Sequence, residues 1–291
     1  MVLGGIEAGG TKFVCAVSDK ELNIIERLSI PTTTPSETIK KVVDFFKRYP
    51  IEALGVGSFG PIDVNKDSKT YGYITNTPKV AWQNYDFVGV LSSALSVPIG
   101  WTTDVNAAAL GEISFGAAKG KKSCVYITVG TGIGGGAVVN GHLLEGYGHP
   151  EMGHLLVRLH EDDSFEGNCP FHHNCLEGLA SGPAIEKRLN EKASNLPVEH
   201  DYWQIEADYL AQAVMNYTLI LSPEMIVFGG GVMKQEHLFP LIREAYAEKI
   251  ARYVEVPPLD QYIVPCGLGD NAGIKGCLIL AEKTLDKNRT E

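Results

Sequence analysis

Glu7-Ala8-Gly9-Gly10-Thr11-Lys12 and Thr128-Val129-Gly130-Thr131-Gly132-Ile133-Gly134-Gly135-Gly136 are two glycine-rich stretches in a chain of 291 residues. Each follows a short apolar run, Met1 to Ile6 in the first case and Ser123 to Ile127 in the second, so each reads as strand, tight turn, strand. Residues without bulk let a backbone turn sharply while its N–H groups stay free to face a phosphate. Two such turns predict a nucleotide phosphate tail gripped from both sides. Neither is a Walker loop, because no Gly-x-x-x-x-Gly-Lys spacing is present.

Outward from these turns, the elements alternate. Residues 2–6, 12–17 and 24–29 read as a strand meander, followed by a helix over 35–49 with apolar residues at helical spacing. Strand 53–58, helix 86–94, strand 98–102 and helix 105–115 come next, and the small, basic segment 116–122 reads as a hinge. A second meander follows at 124–127, 134–139 and 142–144. Helices are expected at 181–190 and 202–222, a strand at 224–228 leading into Gly229-Gly230-Gly231, and a closing helix at 271–283. Meander, then alternating helices and strands, occurs twice, which predicts a duplicated α/β fold of two domains around a cleft. The boundaries are residues 1–116 and 117–271, with a helix at about 272–291 packing back on the first domain.

Composition limits what such a protein does. The apolar fraction of 44 % is that of a globular chain, and its length suits two domains. A formal charge of −10 argues against a general nucleic-acid or membrane-surface binder, since either partner requires a positive footprint. No stretch reaches the roughly 18 apolar residues of a membrane span, and Glu7 interrupts the N-terminus too early for a signal peptide. A cytoplasmic location is expected. Cys15, Cys124, Cys266 and Cys277 lie in apolar runs and read as small buried hydrophobes.

Cys169-Pro170-Phe171-His172-His173-Asn174-Cys175 is different. Thiolate, imidazole and thiolate at three-residue spacing suit tetrahedral zinc, and a cytosolic disulfide is disfavoured. A fourth ligand is required, with His154 and His160 as candidates, and His173 competes with His172.

Gly9-Gly10-Thr11-Lys12, the run Thr103-Asp104-Val105-Asn106-Ala107-Ala108-Ala109-Leu110-Gly111-Glu112, Glu151-Met152-Gly153-His154, the Cys-rich insert ending at Glu177, and Gly229-Gly230-Gly231 stand in this order along the chain. Together they resemble the ROK family (repressors, open reading frames, kinases), and within it the bacterial fructokinases. The resemblance implies the actin-like ATPase (ribonuclease H-like) duplicated fold with a zinc-binding insert at about 149–177. It implies an ATP:D-fructose 6-phosphotransferase in which Asp104 accepts the proton of the sugar hydroxyl, and domain closure excludes water. Its plain structural role would be to cap the helix that follows.

The same resemblance places Gly9, Gly10, Thr11, Lys12, Thr131 and Gly132 on the ATP phosphates and Gly229, Gly230 and Gly231 on the adenosine, with Gly269 to Gly273 as a second wall. Gly60, Pro61, Thr103, Asp104, Glu151, His154 and Glu177 fall on the sugar, with Trp82 either against a sugar face or in the core. Zinc is expected on His154, Cys169, His172 and Cys175, as a structural ion with no open position for water. Magnesium accompanies ATP, with Glu7 near the ion or its water shell, and a homodimer is implied.

Two departures stand out. Family members commonly carry Asn where this chain has Thr103, which exchanges an amide for a single hydroxyl and alters the sugar contact. Glu7 replaces the more common Asp. Kinases for glucose, mannose or N-acetylmannosamine are the near alternatives, and a non-catalytic nucleotide- or sugar-binding regulator is one of another class. Only six residues precede Glu7, which disfavours a DNA-binding repressor. A zinc hydrolase would need an open metal position.

Overall fold

A computed structural model describes residues 1–290; residue 291, where the expected last helix was to end, lies outside the described residues, as does the Thr290 side chain. The chain divides into two compact units. The first holds Met1–Ser114, Leu143–Pro150 and Asp270–Glu291, the second Phe115–His142 and Glu151–Gly269.

In the first unit, β1 (Leu3–Ala8), β2 (Lys12–Ser18) and β3 (Ile24–Pro31) form an antiparallel meander. Helix α1 (Pro35–Phe46) buries Ile39, Val42, Phe45 and Phe46, which recur at three- and four-residue spacing. β4 (Ala53–Ser58) pairs in parallel with β1, the short hairpin β5 (Tyr73–Ile74) and β6 (Tyr85–Asp86) follows, and α2 (Phe87–Leu95) leads into β7 (Ile99–Thr103), parallel to β4. The strand order is β3-β2-β1-β4-β7. β1 and β4 are apolar almost throughout because they are covered on both faces, whereas edge strand β3 is mostly exposed.

Helix α3 (Asp104–Phe115) starts directly at the end of β7 and is buried from Val105 through Glu112. Its Asn106-Ala107-Ala108-Ala109 run has little bulk for a reason visible across the helix pair. A Cβ on Gly276 would stand 1.6 Å from the Ala107 carbonyl oxygen, so the two helix backbones nearly touch. That contact and the strand–helix junction at Thr103 and Asp104 fix where the Asp104 carboxylate begins.

The second unit repeats the plan. β8 (Cys124–Val129) and β9 (Ile133–Val139) are antiparallel, β10 (His142–Leu143) lies beyond β9, and the helices α4 (Leu176–Ala180), α5 (Gly182–Leu189) and α6 (Tyr202–Leu221) follow. β11 (Met225–Gly229) pairs in parallel with β8, and α7 (Leu238–Ile250) and α8 (Leu259–Tyr262) precede β12 (Ile263–Pro265), parallel to β11. The strand order is β10-β9-β8-β11-β12. α9 (Ala272–Thr290) lies in the first unit and runs past the helical pattern read at 271–283, along the segment 272–291 given with the domain bounds.

Sequence patterning left α7 and β12 unassigned. The spacing of Leu238, Phe239, Ile242, Tyr246 and Ile250 carries the helical signal for α7, whereas three-residue β12 is too short to show a period. Cys15, Cys124 and Cys277 are buried as expected, but Cys266 is partly exposed, because it follows edge strand β12. Among the described residues no helix is long and apolar enough to cross a membrane.

Candidate active site

At the C-terminal end of β7 the chain changes from extended to helical within one residue. The Asp104 carboxylate oxygen Oδ1 accepts the Val105 N–H at 2.9 Å, and the Asn106 N–H donates to Thr103 Oγ1 at 3.2 Å. The start of α3 is therefore held by both residues, Thr103 Oγ1 on the Asn106 N–H and Asp104 Oδ1 on the Val105 N–H. The ring of His149, a residue that sequence reading did not single out, rests on this junction. Its Nδ1 is 3.3 Å from Asn106 Nδ2 and 3.5 Å from Thr103 Oγ1, and burial lowers its pKa to about 4, so the imidazole is neutral. The clue in the sequence was its place in the run His149-Pro150-Glu151, two residues ahead of the Glu-x-Gly-His motif.

The β1–β2 turn is closed by its own backbone. Gly9 N–H donates to Lys12 O at 3.0 Å, and Thr32 holds the turn from the next strand, its hydroxyl on Gly9 O at 2.7 Å and its N–H on Thr11 O at 2.9 Å. The Gly9 N–H, expected to face phosphate, is thus spent inside the turn, while the Thr11 and Lys12 side chains are exposed. Over Gly10 lies the stem of Lys79, whose Cε is 3.0 Å from the position a Gly10 Cβ would take. Trp82, three residues on, is 1 % exposed and stacks among Phe13, Phe59, Tyr85 and Phe87; it belongs to the core and has no face for a sugar.

Glu7 is half-buried on β1, and its carboxylate accepts the Ile274 N–H in the first turn of α9. Burial pushes its pKa up, opposed by the charges of Arg27 and Lys12. The Gly60–Pro61 segment, joined by a cis peptide bond, follows β4 and is held by Thr75, whose N–H donates to Pro61 O at 2.8 Å.

In the second unit the β8–β9 turn is closed by Gly130 N–H on Gly132 O at 2.9 Å, and the first residue of α5, Gly182, donates its N–H to Gly130 O at 2.8 Å. Thr131 projects from this turn and is exposed. The Gly229–Gly231 turn stands beside it, with Gly230 at φ +94° and Gly231 N 3.7 Å from where a Gly130 Cβ would be. Glu177 reaches the turn as well, accepting the Ile133 N–H at 3.0 Å through Oε2.

The other oxygen of Glu177 lies 4.0 Å from His154 Nε2, and His154 belongs to a cluster with Cys169, His172 and Cys175 whose donor atoms lie within 4.8 Å of one another. His154 Nδ1 is 3.7 Å from Cys169 Sγ and 3.5 Å from Cys175 Sγ, and His172 Nδ1 is 3.8 Å from Cys169 Sγ. Zinc–sulfur and zinc–nitrogen bonds of about 2.3 and 2.0–2.1 Å at a tetrahedral angle separate unlike donors by about 3.6 Å, so the set fits such an ion. The chain converges because Cys169 Sγ accepts the His172 N–H and Cys175 Sγ caps α4 by accepting the Gly178 N–H. His154 is delivered by a short turn on β9, where Gly153 permits the approach: a Cβ there would meet Ile133 O at 1.6 Å. Glu151 opens that turn and is exposed. His160 is engaged elsewhere, its Nδ1 accepting the Asp162 N–H, and His173 takes a backbone role with φ 51° and its N–H on Cys169 O.

Residues 3–284 match the ROK family. The chain belongs to the ROK family. It is 50 % identical to the fructokinase of Pediococcus pentosaceus over 98 % of this chain and 99 % of that one. It is 47 % identical to the fructokinase of Streptococcus mutans, covering 96 % and 97 %. The crystal structure of a ROK hexokinase from Thermus thermophilus superimposes with a TM-score of 0.82 at 28 % identity, over 99 % of this chain and all of that one. The two sheets of this ROK protein, each a meander continued by two parallel strands, are those of the actin-like ATPase fold expected from the sequence.

Proposed function

We propose that this protein is an ATP-dependent hexose kinase that converts D-fructose and ATP into fructose 6-phosphate and ADP. The observation behind this reading is Asp104, a carboxylate at the carboxyl end of a strand in an α/β sheet, the end at which such sheets bind ligands. Full-length identity near 50 % to proteins named fructokinase supports the acceptor.

In this mechanism Asp104 accepts the proton of the terminal sugar hydroxyl as that oxygen forms its bond to the γ-phosphorus. The bond between the γ-phosphorus and the β,γ-bridging oxygen breaks, and ADP leaves. Gly10, Thr11 and Lys12 hold phosphate oxygens, and the Lys79 ammonium above Gly10 adds a cation against the developing charge. In the second unit the Gly130–Gly132 turn takes phosphate, Gly229, Gly230 and Gly231 take the adenosine, and Glu151, His154 and Glu177 take sugar hydroxyls through strong charge-assisted bonds. Gly60, Pro61 and Thr103 complete the sugar contacts. Magnesium supplies charge neutralisation on the phosphates, with Glu7 toward its water shell. Zinc on His154, Cys169, His172 and Cys175 holds the insert and orients His154 and Glu177; four protein ligands leave it no catalytic position.

A cytoplasmic location and a homodimer belong to the same reading, to be checked by cell fractionation and light scattering. The function itself is tested by ADP release with fructose, glucose, mannose and N-acetylmannosamine. The highest kcat/KM is expected for fructose. Preference for another hexose would replace the acceptor, and no turnover with any of them would leave a binding protein.

A further inference from the structure

The residue that distinguishes the sugar-facing end of β7 from the family pattern is Thr103, and the structure shows what stands beside it. His149 lies against Thr103 and Asn106, one residue before and two residues after Asp104, its Nδ1 3.3 Å from Asn106 Nδ2 and 3.5 Å from Thr103 Oγ1. Asn106 is 1 % exposed, so its hydrogen bonds are nearly all internal. One amide hydrogen goes to Thr102 Oγ1 at 3.1 Å and the other to His149 Nδ1, while Asn106 Oδ1 has no partner. Turning the amide round would leave two buried N–H donors without acceptors in place of one oxygen, the more costly state.

The orientation of Asn106 therefore sets the tautomer of His149. Nδ1 accepts, so the proton of the neutral ring is on Nε2. That Nε2–H has no hydrogen-bond partner in the protein among the described residues. Thr103 is in a similar position: its oxygen accepts the Asn106 N–H at 3.2 Å, and with the His149 Nδ1 lone pair already taken, its own hydrogen is available. One hydroxyl and one imidazole donor thus stand at the strand–helix junction that carries the Asp104 carboxylate. An oxygen-rich, uncharged ligand satisfies both.

We propose that His149 is a sugar-binding residue of this kinase, donating its Nε2–H to an oxygen of the hexose next to the hydroxyl that Asp104 deprotonates, and that Thr103 and His149 together replace the single amide. This rests on the hexose-kinase reading above. A neutral donor suits the role, because an imidazolium beside Asp104 would draw the carboxylate into an ion pair and weaken it as a base.

The test compares the unaltered protein with His149→Ala and His149→Gln, the glutamine amide reaching the place of Nε2. Steady-state rates are measured with fructose and glucose as acceptors, alongside thermal melting. We expect His149→Ala to raise KM for fructose roughly 3- to 15-fold, the worth of one hydrogen bond. KM for ATP should hold, kcat should stay within a few-fold, and His149→Gln should recover most of the loss. An unchanged fructose KM in a folded His149→Ala, or a loss in kcat alone, overturns the role of His149 while leaving the kinase reading in place. If the unaltered protein prefers another hexose, fructose as acceptor fails and the same variants decide on that sugar. If it phosphorylates none, both readings fall.

Discussion

A lysine ammonium held over a glycine turn is a local arrangement with a measurable consequence. Lys79 has no hydrogen-bond or ion-pair acceptor for its Nζ among the described residues, yet its stem is packed on Gly10. If that charge meets the transferred phosphoryl group, Lys79→Met should lower kcat by about 10²- to 10³-fold, the range for removing one preorganised electrostatic contact. Lys79→Arg should retain part of the rate. Equal kcat in Lys79→Met would assign the residue to the surface. At this scale the sequence revealed residue types better than their engagements. The place of Asp104 at the end of a strand, of Glu7 ahead of a glycine turn and of the cysteine–histidine run was legible. That Gly9 N–H is used inside its turn, that Trp82 is core, and that Asn106 orients His149 were not, because each depends on a partner distant in the chain.

The elements of the second unit carry two further tests. α6 buries Glu206 completely, with Oε2 accepting the Tyr202 hydroxyl at 2.7 Å, Oε1 unpartnered, and its pKa pushed up to about 8 by burial. Arg188 donates to the Tyr202 hydroxyl but is committed to Asp163 through two bonds, so it does not neutralise Glu206 by contact. The folded state holds the proton more tightly than the unfolded one. The stability is therefore complete below the ordinary carboxylate pKa and declines as pH rises toward about 8. Glu206→Gln should melt with the parent at pH 5 and above it at pH 8.5, by roughly 2–4 °C for each kcal/mol recovered. A constant difference across pH would remove ionisation as the cause.

The insert between β10 and α5 carries the proposed zinc site, and the test there is local in the same sense. Cys175 is both a cluster donor and the cap of α4, so Cys175→Ala should release the metal, lower the melting temperature and weaken hexose binding together. Metal content by elemental analysis and sugar binding by calorimetry check this, and full sugar affinity in a metal-free variant would separate the insert from the sugar. The three-residue Cys and His spacing was readable from the chain, and the family resemblance put His154 ahead of His160; how His154 reaches the cluster, through the turn that Gly153 allows, was not readable.

At the scale of the molecule, each unit builds a five-stranded sheet with the same order, a meander whose first strand continues into two parallel strands. This repetition was visible as two glycine turns, two apolar meanders and two helix–strand successions, since strand period and turn composition are local properties. The short strands β5, β6 and β12 escaped because two or three residues carry no period. The return of α9 to the first unit rests on backbone approaches such as that of Gly276 to Ala107, for which the sequence offers small residues but no partner.

In the proposed reaction the fold serves one chemical group, the Asp104 carboxylate, and the measurement to make is kcat/KM for fructose in the unaltered protein and in Asp104→Asn. The amide keeps the shape but cannot accept the hydroxyl proton. A fall of about 10²- to 10⁴-fold with sugar binding retained is expected; a variant that turns over fructose within a few-fold of the parent would remove Asp104 as the base.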